Sequence, residues 1–318
     1  MSETRIEPKP TTQTATPIDR QMPESELVDV MAGALRHQLP VLDHGFLALV
    51  DVMPRLVPAP ESGPPTADSA IVQAARVSYG QGTKKTSEDR SLIRYLLRHR
   101  HTTPFEMVEF KFHVAMPIFV ARQWIRHRTA NVNEYSARYS ILPDRFYTPT
   151  LDEVRKQSRA NNQGGDERFK TDEASEVSTA QEFLDYLADV ETLYARYEKL
   201  TEKGVSRELA RMGLSVSIYT EWYWKCDLHN ILRFLSLRMD SHAQEEIQAY
   251  ARAMHDLIEP IVPITMEAWR DYAFESMHLT RLEIEAIQSL AKGGDGAFGS
   301  QNRRERAEWD SKKLRLGL

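Results

Sequence analysis

The chain has 318 residues, of which 41% are hydrophobic, so it is long enough to bury a sizeable core. Its formal net charge of −5 argues against a general nucleic-acid-binding protein, which would usually be basic overall. The single cysteine, Cys226, excludes an intramolecular disulfide and a zinc site built from several cysteines.

The N-terminal residues 1–24 are polar and rich in proline, and they lack the apolar segment of a signal peptide. No apolar run approaches the ~20 residues that a membrane span needs. We therefore expect a cytoplasmic protein with no membrane and no nucleic acid among its partners. Residues 1–42 are predicted to form a flexible N-terminal extension.

Hydrophobic periodicity predicts the elements that follow. In chain order it predicts a helix over Glu24–His37, a strand over Gly45–Met53, a Pro-rich break at Pro58–Pro65, and helices over Ala67–Val77 and Ser87–Arg98. Apolar and polar residues then alternate over Glu106–Ala115, as in a half-buried strand. Pro117 suits the first turn of a helix that runs into Arg126.

The second half of the chain begins with a polar stretch, about 152–175, which is predicted to be a mobile insertion. Phe183, Tyr194 and Tyr197 recur at helical spacing beyond it, and Ser215–Trp224 alternates like a strand. Asp227 could cap the next helix, whose apolar stripe is Leu228, Ile231, Leu232 and Leu235. A further helix is predicted to end near Ile258, and the basic tail after Lys292 is expected to be poorly ordered.

Strands and helices alternate without a regular βαβ rhythm, which predicts a single α+β domain with tails. We place that domain at residues 43–278, with residues 279–318 as a C-terminal extension.

The segment Arg126–Ser140 concentrates side chains that bind anions and polar rings. It carries three arginines, a histidine, a glutamate and two serines directly after an apolar helical run. From Arg94 to Arg145 nine Lys or Arg residues stand against four acids, whereas the whole chain is acidic. A local positive pocket of this kind is typical of a small anionic ligand, such as a phosphorylated heterocycle.

Common cofactor and catalytic motifs are missing from the sequence. Gly80-Gln81-Gly82 lacks the third glycine of a dinucleotide fingerprint, and neither a Walker A sequence nor a Gly-x-Ser-x-Gly elbow occurs. His99, His101 and His113 lack carboxylates and thiolates at ligand spacing, so no metal site is predicted.

The motifs together resemble the flavin-dependent thymidylate synthase family. That family is marked by Arg-His-Arg, seven residues and Ser, which correspond here to Arg126, His127, Arg128 and Ser136. The surrounding Asn-Glu-x-Ser-x-Arg-Tyr-Ser matches as well, and the resemblance extends from about Asp43 to His278.

The resemblance implies a largely antiparallel, curved sheet flanked by helices, in a homotetramer with active sites at subunit interfaces. It implies reductive methylation of dUMP to dTMP, a methyltransferase reaction. In that reaction 5,10-methylenetetrahydrofolate gives the carbon, and FAD reduced by NADPH gives the hydride, without a protein nucleophile.

The resemblance also assigns residues to the two ligands. It places dUMP against Gln123, Arg126, Glu134, Ser136, Ala137, Arg138, Arg211 and Arg238. It places FAD against Thr103, Arg126, His127, Arg128, Glu134, Asp227, Leu228, His229 and Arg233. Arg126 and Glu134 belong to both sets, which suggests that they hold the two ligands in register.

Arg238 and His101 are the catalytic candidates. An arginine cannot act as a general base, because its pKa stays above ~12, but it can stabilise a uracil ring that has lost its N3 proton. Taken alone, Arg238 could equally be a cation at a helix end that satisfies terminal carbonyls. His101 matches a histidine near the folate and flavin, and the alternative is a loop histidine that bonds a carbonyl.

Two possible nucleophiles are assigned other roles. Ser136 has no His-Asp pair in its segment, so we expect it to bind substrate rather than to attack it. Cys226 lies at a strand end among tryptophans, between Lys225 and Asp227, and is predicted to be a buried structural thiol.

Three positions depart from the family pattern. Asn131 stands where many members have serine, His229 where many have arginine, and Arg233 where asparagine or histidine is common. All three remain polar donors, which implies an adjusted flavin site.

Two other classes of function remain open at this stage. The chain could be an RNA- or nucleotide-binding module that uses Tyr219–Trp224 as a stacking platform, although these aromatics also suit a sheet core. It could also be a structural oligomer whose cofactor site has decayed.

Overall fold

A computed structural model describes residues 38–54, 66–77, 89–158 and 164–318 of the chain. The helix predicted over Glu24–His37 and the break at Pro58–Pro65 lie outside the described residues. None of the described helices is both long and apolar enough to cross a membrane.

The strands form a central sheet and a separate hairpin. In chain order they are β1 (Gln38–Val41), β2 (Gly45–Met53), β3 (Glu109–Pro117), β4 (Asn131–Glu134), β5 (Arg155–Gln157), β6 (Gly165–Arg168) and β7 (Tyr219–Asp227). The five-stranded sheet has the order β1-β2-β3-β7-β4, and all its neighbours are antiparallel. The remaining two strands, β5 and β6, pair with each other.

Helices flank this sheet. They are α1 (Asp68–Arg76), α2 (Asp89–Arg98), α3 (Thr103–Glu106), α4 (Ile118–Trp124), α5 (Ala174–Glu202), α6 (Arg207–Ala210), α7 (Leu228–Arg238), α8 (Glu245–Ile258), α9 (Pro263–Trp269), α10 (Arg281–Ala291) and α11 (Arg303–Leu316). The predicted α+β domain with one antiparallel sheet is therefore confirmed.

The alternation predicted for β3 places its apolar residues in the core. Phe110, Phe112 and Val114 are fully buried, and Phe112 packs against Trp224 of β7 with ring centroids 6.2 Å apart. The intervening polar residues form cross-strand pairs on the other face, such as Lys225 Nζ to Glu109 Oε2 at 2.9 Å. The sheet thus separates a hydrophobic core from a charged surface.

Three buried tryptophans form the centre of the core. The ring of Trp124 on α4 lies 5.8 Å from Trp222 and 5.5 Å from Trp224, both on β7. Phe234 of α7 lies 4.7 Å from the same ring. This tryptophan cluster joins the helix before the Arg-His-Arg segment to the helix that carries Arg238.

Several predicted boundaries shift. Glu106 belongs to the single helical turn α3 rather than to a strand, because Pro104 occupies the first turn and favours helical φ. β7 begins at Tyr219 instead of Ser215, because 215–218 form a turn in which Ile218 N donates to Ser215 O at 3.2 Å. The alternation of apolar residues continues through that turn, so the sequence pattern did not mark the start of the strand.

The prediction that the tail after Lys292 is poorly ordered is wrong, because this tail forms the helix α11. Trp309 is 2% exposed and stacks on Phe298 at 5.9 Å. Lys312 Nζ donates to the buried carboxylate of Glu283 at 2.8 Å and to His278 O at 2.9 Å. The Lys312–Glu283 ion pair therefore attaches this highly charged helix to α10, and Trp309 packs it against Phe298 of the connecting segment.

The described part of the polar insertion is the β5–β6 hairpin. Arg155 Nη2 lies 3.2 Å from Glu246 Oε1, and Lys156 Nζ lies 2.6 Å from Glu176 Oε1. These ion pairs join the hairpin to α8 and α5.

Candidate active site

A cleft of about 540 Å³ lies between the Arg-His-Arg segment and α7. This arginine cleft is lined by Arg126, His127, Arg128, Thr129, Cys226, Asn230, Arg233, Leu237 and Arg238. Asn230, Arg233 and Leu237 share one face of α7 because they are three and four residues apart. None of the described residues that line the cleft is an Asp or a Glu. Its positive charge is left without a neutralising carboxylate, which fits an anionic ligand.

Arg238 is held in place by two contacts. Its Nε donates to His127 Nε2 at 3.0 Å, and its Nη2 donates to the carbonyl oxygen of Gln123 at 3.4 Å. Burial, then the charges of Arg238 and Arg233, lower the pKa of His127 to about 4. His127 is therefore a neutral acceptor at neutral pH. Burial also lowers the pKa of Arg238, but a guanidinium remains charged.

Gln123 is positioned by a residue that the sequence analysis missed. Its Nε2 donates to Oε1 of Gln244, the residue before the first turn of α8. Gln244 follows an Asp-Ser-His-Ala run, and nothing in its spacing indicates a partner on α4. Only the fold brings the two carboxamides together.

The junction of β7 and α7 carries three residues predicted to contact FAD. Oδ1 of Asp227 accepts from the backbone of Asn230 at 2.9 Å, so the predicted helix cap is confirmed. Leu228 has a fully buried side chain, and its backbone N–H donates to Val108 O at 2.8 Å. His229 is half-buried in the first turn of α7.

Cys226 is a structural thiol, as predicted. Its side chain is buried, and its Sγ donates to Thr129 O at 3.2 Å. Burial raises the pKa of the Cys226 thiol far above its ordinary value. The thiolate that a nucleophile needs is therefore disfavoured.

A second cleft of about 480 Å³ holds several of the residues predicted to bind dUMP. Glu134, Ser136, Ala137 and Arg211 line this serine cleft together with Thr220. Thr220 Oγ1 donates to Glu134 Oε1 at 2.8 Å, which fixes that carboxylate. No histidine is among the described residues that line it, so the His-Asp pair that would activate Ser136 as a nucleophile is not found there.

Arg138 lies next to this cleft. Its backbone N–H donates to Ser136 Oγ at 3.4 Å, and its Nη2 lies 3.4 Å from Glu208 Oε2. Both side chains of that ion pair are more than half exposed, so the pair is weak and Arg138 is available to a ligand.

A third cleft of about 820 Å³ lies between α1, α2 and α3 and carries His101 and Thr103. We call it the histidine cleft. The exposed imidazole of His101 lies edge-on to Tyr95, with ring centroids 5.8 Å apart. The backbone N–H of His101 donates to Leu96 O at 2.9 Å. The alternative role for His101 was a loop histidine that bonds a carbonyl, and here the backbone of His101 makes that bond.

The structure distributes most of the predicted residues over three clefts, whereas Gln123, Arg138, Asp227, Leu228 and His229 line none of the three. Arg126 lines the arginine cleft and Glu134 the serine cleft, although both were expected to touch both ligands. The aromatics of β7 do not form a stacking platform, because Trp222 and Trp224 are buried and the exposed ring of Tyr223 stacks on His113, with ring centroids 4.7 Å apart. The basis for an RNA-binding module is therefore lost.

The family model of the thymidylate synthase complementing protein matches residues 61–264 of the chain. The flavin-dependent thymidylate synthase of Dictyostelium discoideum is 61% identical over 299 residues, which cover 94% of each chain. The protein of the same name from Wolbachia pipientis wMel is 54% identical over 254 residues, covering 80% of this chain and 83% of that one. The chain belongs to the flavin-dependent thymidylate synthase family.

The chain is also similar to solved structures, and this similarity is consistent with its family. The UMP/dUMP methylase PolB from Streptomyces cacaoi, bound with 5-Br dUMP, has a TM-score of 0.61 and 30% identity over 74% of this chain and 99% of that chain. The same methylase bound with 5-Br UMP has a TM-score of 0.60.

In this member of the family, three residues that were not predicted from the sequence hold predicted site residues in place. Gln244 holds Gln123, Asn230 closes the cap at Asp227 through Nδ2 at 2.8 Å, and Thr220 holds Glu134. The Asp227-x-x-Asn230 spacing of a helix cap was the one sequence signal that could have indicated a partner.

Proposed function

We propose that the protein is a flavin-dependent thymidylate synthase that converts dUMP to dTMP by reductive methylation. The carbon comes from 5,10-methylenetetrahydrofolate, and NADPH is the reductant. Family membership and the cation-lined arginine cleft support this reaction.

The observation that carries the proposal is the pairing of Arg238 with a neutral His127. Nε of the Arg238 guanidinium donates to His127 Nε2. One further contact, in which Nη2 donates to the carbonyl oxygen of Gln123, orients the terminal nitrogens. A cation held in this way can stabilise the anion of a uracil ring that has lost its N3 proton. A charged histidine at the same position would repel Arg238 instead.

The donor set of the arginine cleft fits FAD. Arg126, Arg128 and Arg233 are cations without a carboxylate within ion-pair distance among the described residues, and FAD carries a pyrophosphate. When bound and reduced, FAD supplies the hydride of the reaction. Thr103, His127, Glu134, Asp227, Leu228 and His229 complete the proposed contacts.

The proposed dUMP site combines donors for phosphate with groups for the ring. Ser136, Arg138 and Arg211 offer donors to a phosphate, and Gln123, Arg126, Glu134 and Ala137 complete the set with Arg238. No side chain acts as nucleophile in this proposal. The buried thiol of Cys226 and the lack of a histidine among the described residues that line the cleft of Ser136 support that choice.

We also propose a homotetramer whose active sites are built between subunits, because the three clefts of one chain each hold only part of the site. His101 of the histidine cleft would then meet the other clefts across an interface. Exposed apolar side chains on α5 support such an assembly. They are Phe183, Tyr186, Leu193 and Leu200.

The location and the domain limits are proposals too. We place the enzyme in the cytoplasm and its catalytic domain at residues 43–278. The extensions 1–42 and 279–318 and the polar insertion of about 152–175 flank or interrupt that domain.

The direct test is tritium release from [5-³H]dUMP. Purified protein with FAD, NADPH and methylenetetrahydrofolate should release tritium in step with dTMP formation, and omission of FAD or NADPH should stop turnover. A folded, FAD-loaded protein that forms no dTMP would refute the proposal.

A further inference from the structure

Arg100 has a backbone conformation that is unusual for its residue type. Its φ is +59°, in the left-handed region, and it follows the C-terminal end of α2. Arg100 N donates to Leu97 O at 3.1 Å, and His101 N donates to Leu96 O at 2.9 Å. These two bonds form a Schellman cap, in which glycine usually takes the left-handed position. An arginine there costs free energy that glycine would not.

No side-chain contact of Arg100 with the described residues offsets that strain. The other arginines near the end of α2 are occupied: Arg94 Nη2 lies 2.6 Å from Asp271 Oδ2, and Arg98 lies over the ring of Tyr272 at 5.8 Å. The exposed guanidinium of Arg100 has neither an ion pair nor a hydrogen bond in the described part of the chain. It lines the histidine cleft instead.

The cleft around Arg100 has two kinds of surface. Ala75, Leu92 and Leu96 form an apolar wall, and the exposed ring of Tyr95 stands beside them. Arg100 and His101 line the same cleft, and the imidazole of His101 lies 5.8 Å from the ring of Tyr95. This arrangement suits a ligand with a planar ring and an anionic group.

We propose that Arg100 binds the anionic group, a phosphate or a carboxylate, of a co-substrate whose ring lies against Tyr95. The proposal rests on the proposed function, which supplies two such co-substrates. NADPH carries phosphates and methylenetetrahydrofolate carries carboxylates. Arg100 is thus a binding residue of the histidine cleft, and its strained backbone places the guanidinium beside His101.

Three substitutions of Arg100 separate the effect of its backbone strain from the effect of its positive charge. Arg100→Gly removes both the strain and the guanidinium, Arg100→Ala keeps the strain and removes the charge, and Arg100→Lys keeps both. The glycine variant should melt at a higher temperature than the alanine variant, because only glycine adopts this φ without strain. Arg303→Ala, in the exposed first turn of α11, is the control for loss of one positive charge.

Binding is measured by calorimetry with NADP⁺ for the phosphate and with tetrahydrofolate for the carboxylate. We expect Arg100→Gly and Arg100→Ala to weaken one of the two ligands about 10-fold or more, since a charge-assisted contact is lost. Arg100→Lys and Arg303→Ala should stay within about threefold, and the difference should shrink at high salt. The ligand that loses affinity identifies the group bound.

Two outcomes overturn the proposal: affinities for both ligands within about threefold of the unsubstituted protein in all variants, or no binding of either ligand by the unsubstituted protein. Turnover is read separately. Ligand binding that depends on Arg100 in a protein without dTMP formation would contradict the proposed function alone. Normal dTMP formation with Arg100-independent binding would contradict this inference alone.

Discussion

The neutral His127 predicts how the stability of the protein depends on pH. An unfolded histidine takes up a proton near pH 6.5, whereas folded His127 does so only near its pKa of about 4. Between these values the unfolded chain binds more protons, so stability falls as the pH falls from 6.5 towards 4. His127→Gln removes the titrating group and should remove this part of the pH dependence.

The expected magnitude follows from the shift. One pKa unit corresponds to about 1.4 kcal/mol. With folded and unfolded pKa values of about 4 and 6.5, lowering the pH from about 7.5 to about 4.5 should cost the unsubstituted protein roughly 2.5 kcal/mol more than the glutamine variant.

The assay is urea unfolding followed by circular dichroism, at one protein concentration and several pH values. His127→Asn is the matched control: it also lacks the titrating group, but its shorter amide cannot take the place of Nε2. Both variants should therefore lack the contribution of His127 to the pH dependence, while only the glutamine variant keeps an acceptor for Arg238. If the unsubstituted protein and both variants lose stability in parallel, His127 is not a neutral residue held against two cations.

The other predictions concern catalysis and the tail. Arg238→Ala should lower kcat about 100-fold or more in the tritium-release assay, because the developing anion loses its cation; near-normal turnover would exclude that role. Cys226→Ala should keep turnover within about threefold, since the thiol only bonds a carbonyl; complete inactivation of a folded variant would point to a protein nucleophile. Trp309→Ala should remove the anchor of α11 and expose the tail to limited proteolysis while turnover persists; an intact tail would show that the Lys312–Glu283 pair is sufficient.

The sequence predicted the interior of the fold better than its edges. Alternation identified the buried side of β3, because Phe110 and Phe112 pack on a sheet face that needs apolar residues. β4 was not predicted, since all four of its residues are exposed and no alternation of buried and exposed residues marks it as a strand. α11 was missed for a related reason, as a single aromatic residue attaches a highly charged helix.

The candidate site likewise contains contacts that could be predicted before the structure was known and contacts that could not. The resemblance to the family associated the Arg-His-Arg segment with Arg238, and the structure brings His127 and Arg238 into contact. The contact between Gln123 and Gln244 joins residues 121 positions apart, so no local pattern encodes it. The strain at Arg100 depends on the sign of one backbone angle, which composition and periodicity do not report.

The tryptophan cluster gives this protein an optical reporter of its own. Trp124 contacts Phe234, and Phe234 contacts His127 at a ring distance of 4.9 Å, so one ring separates the cluster from the arginine cleft. Indole emission overlaps flavin absorption, and a flavin in that cleft would accept the excitation energy. Cofactor loading could then be followed by fluorescence quenching without any added label.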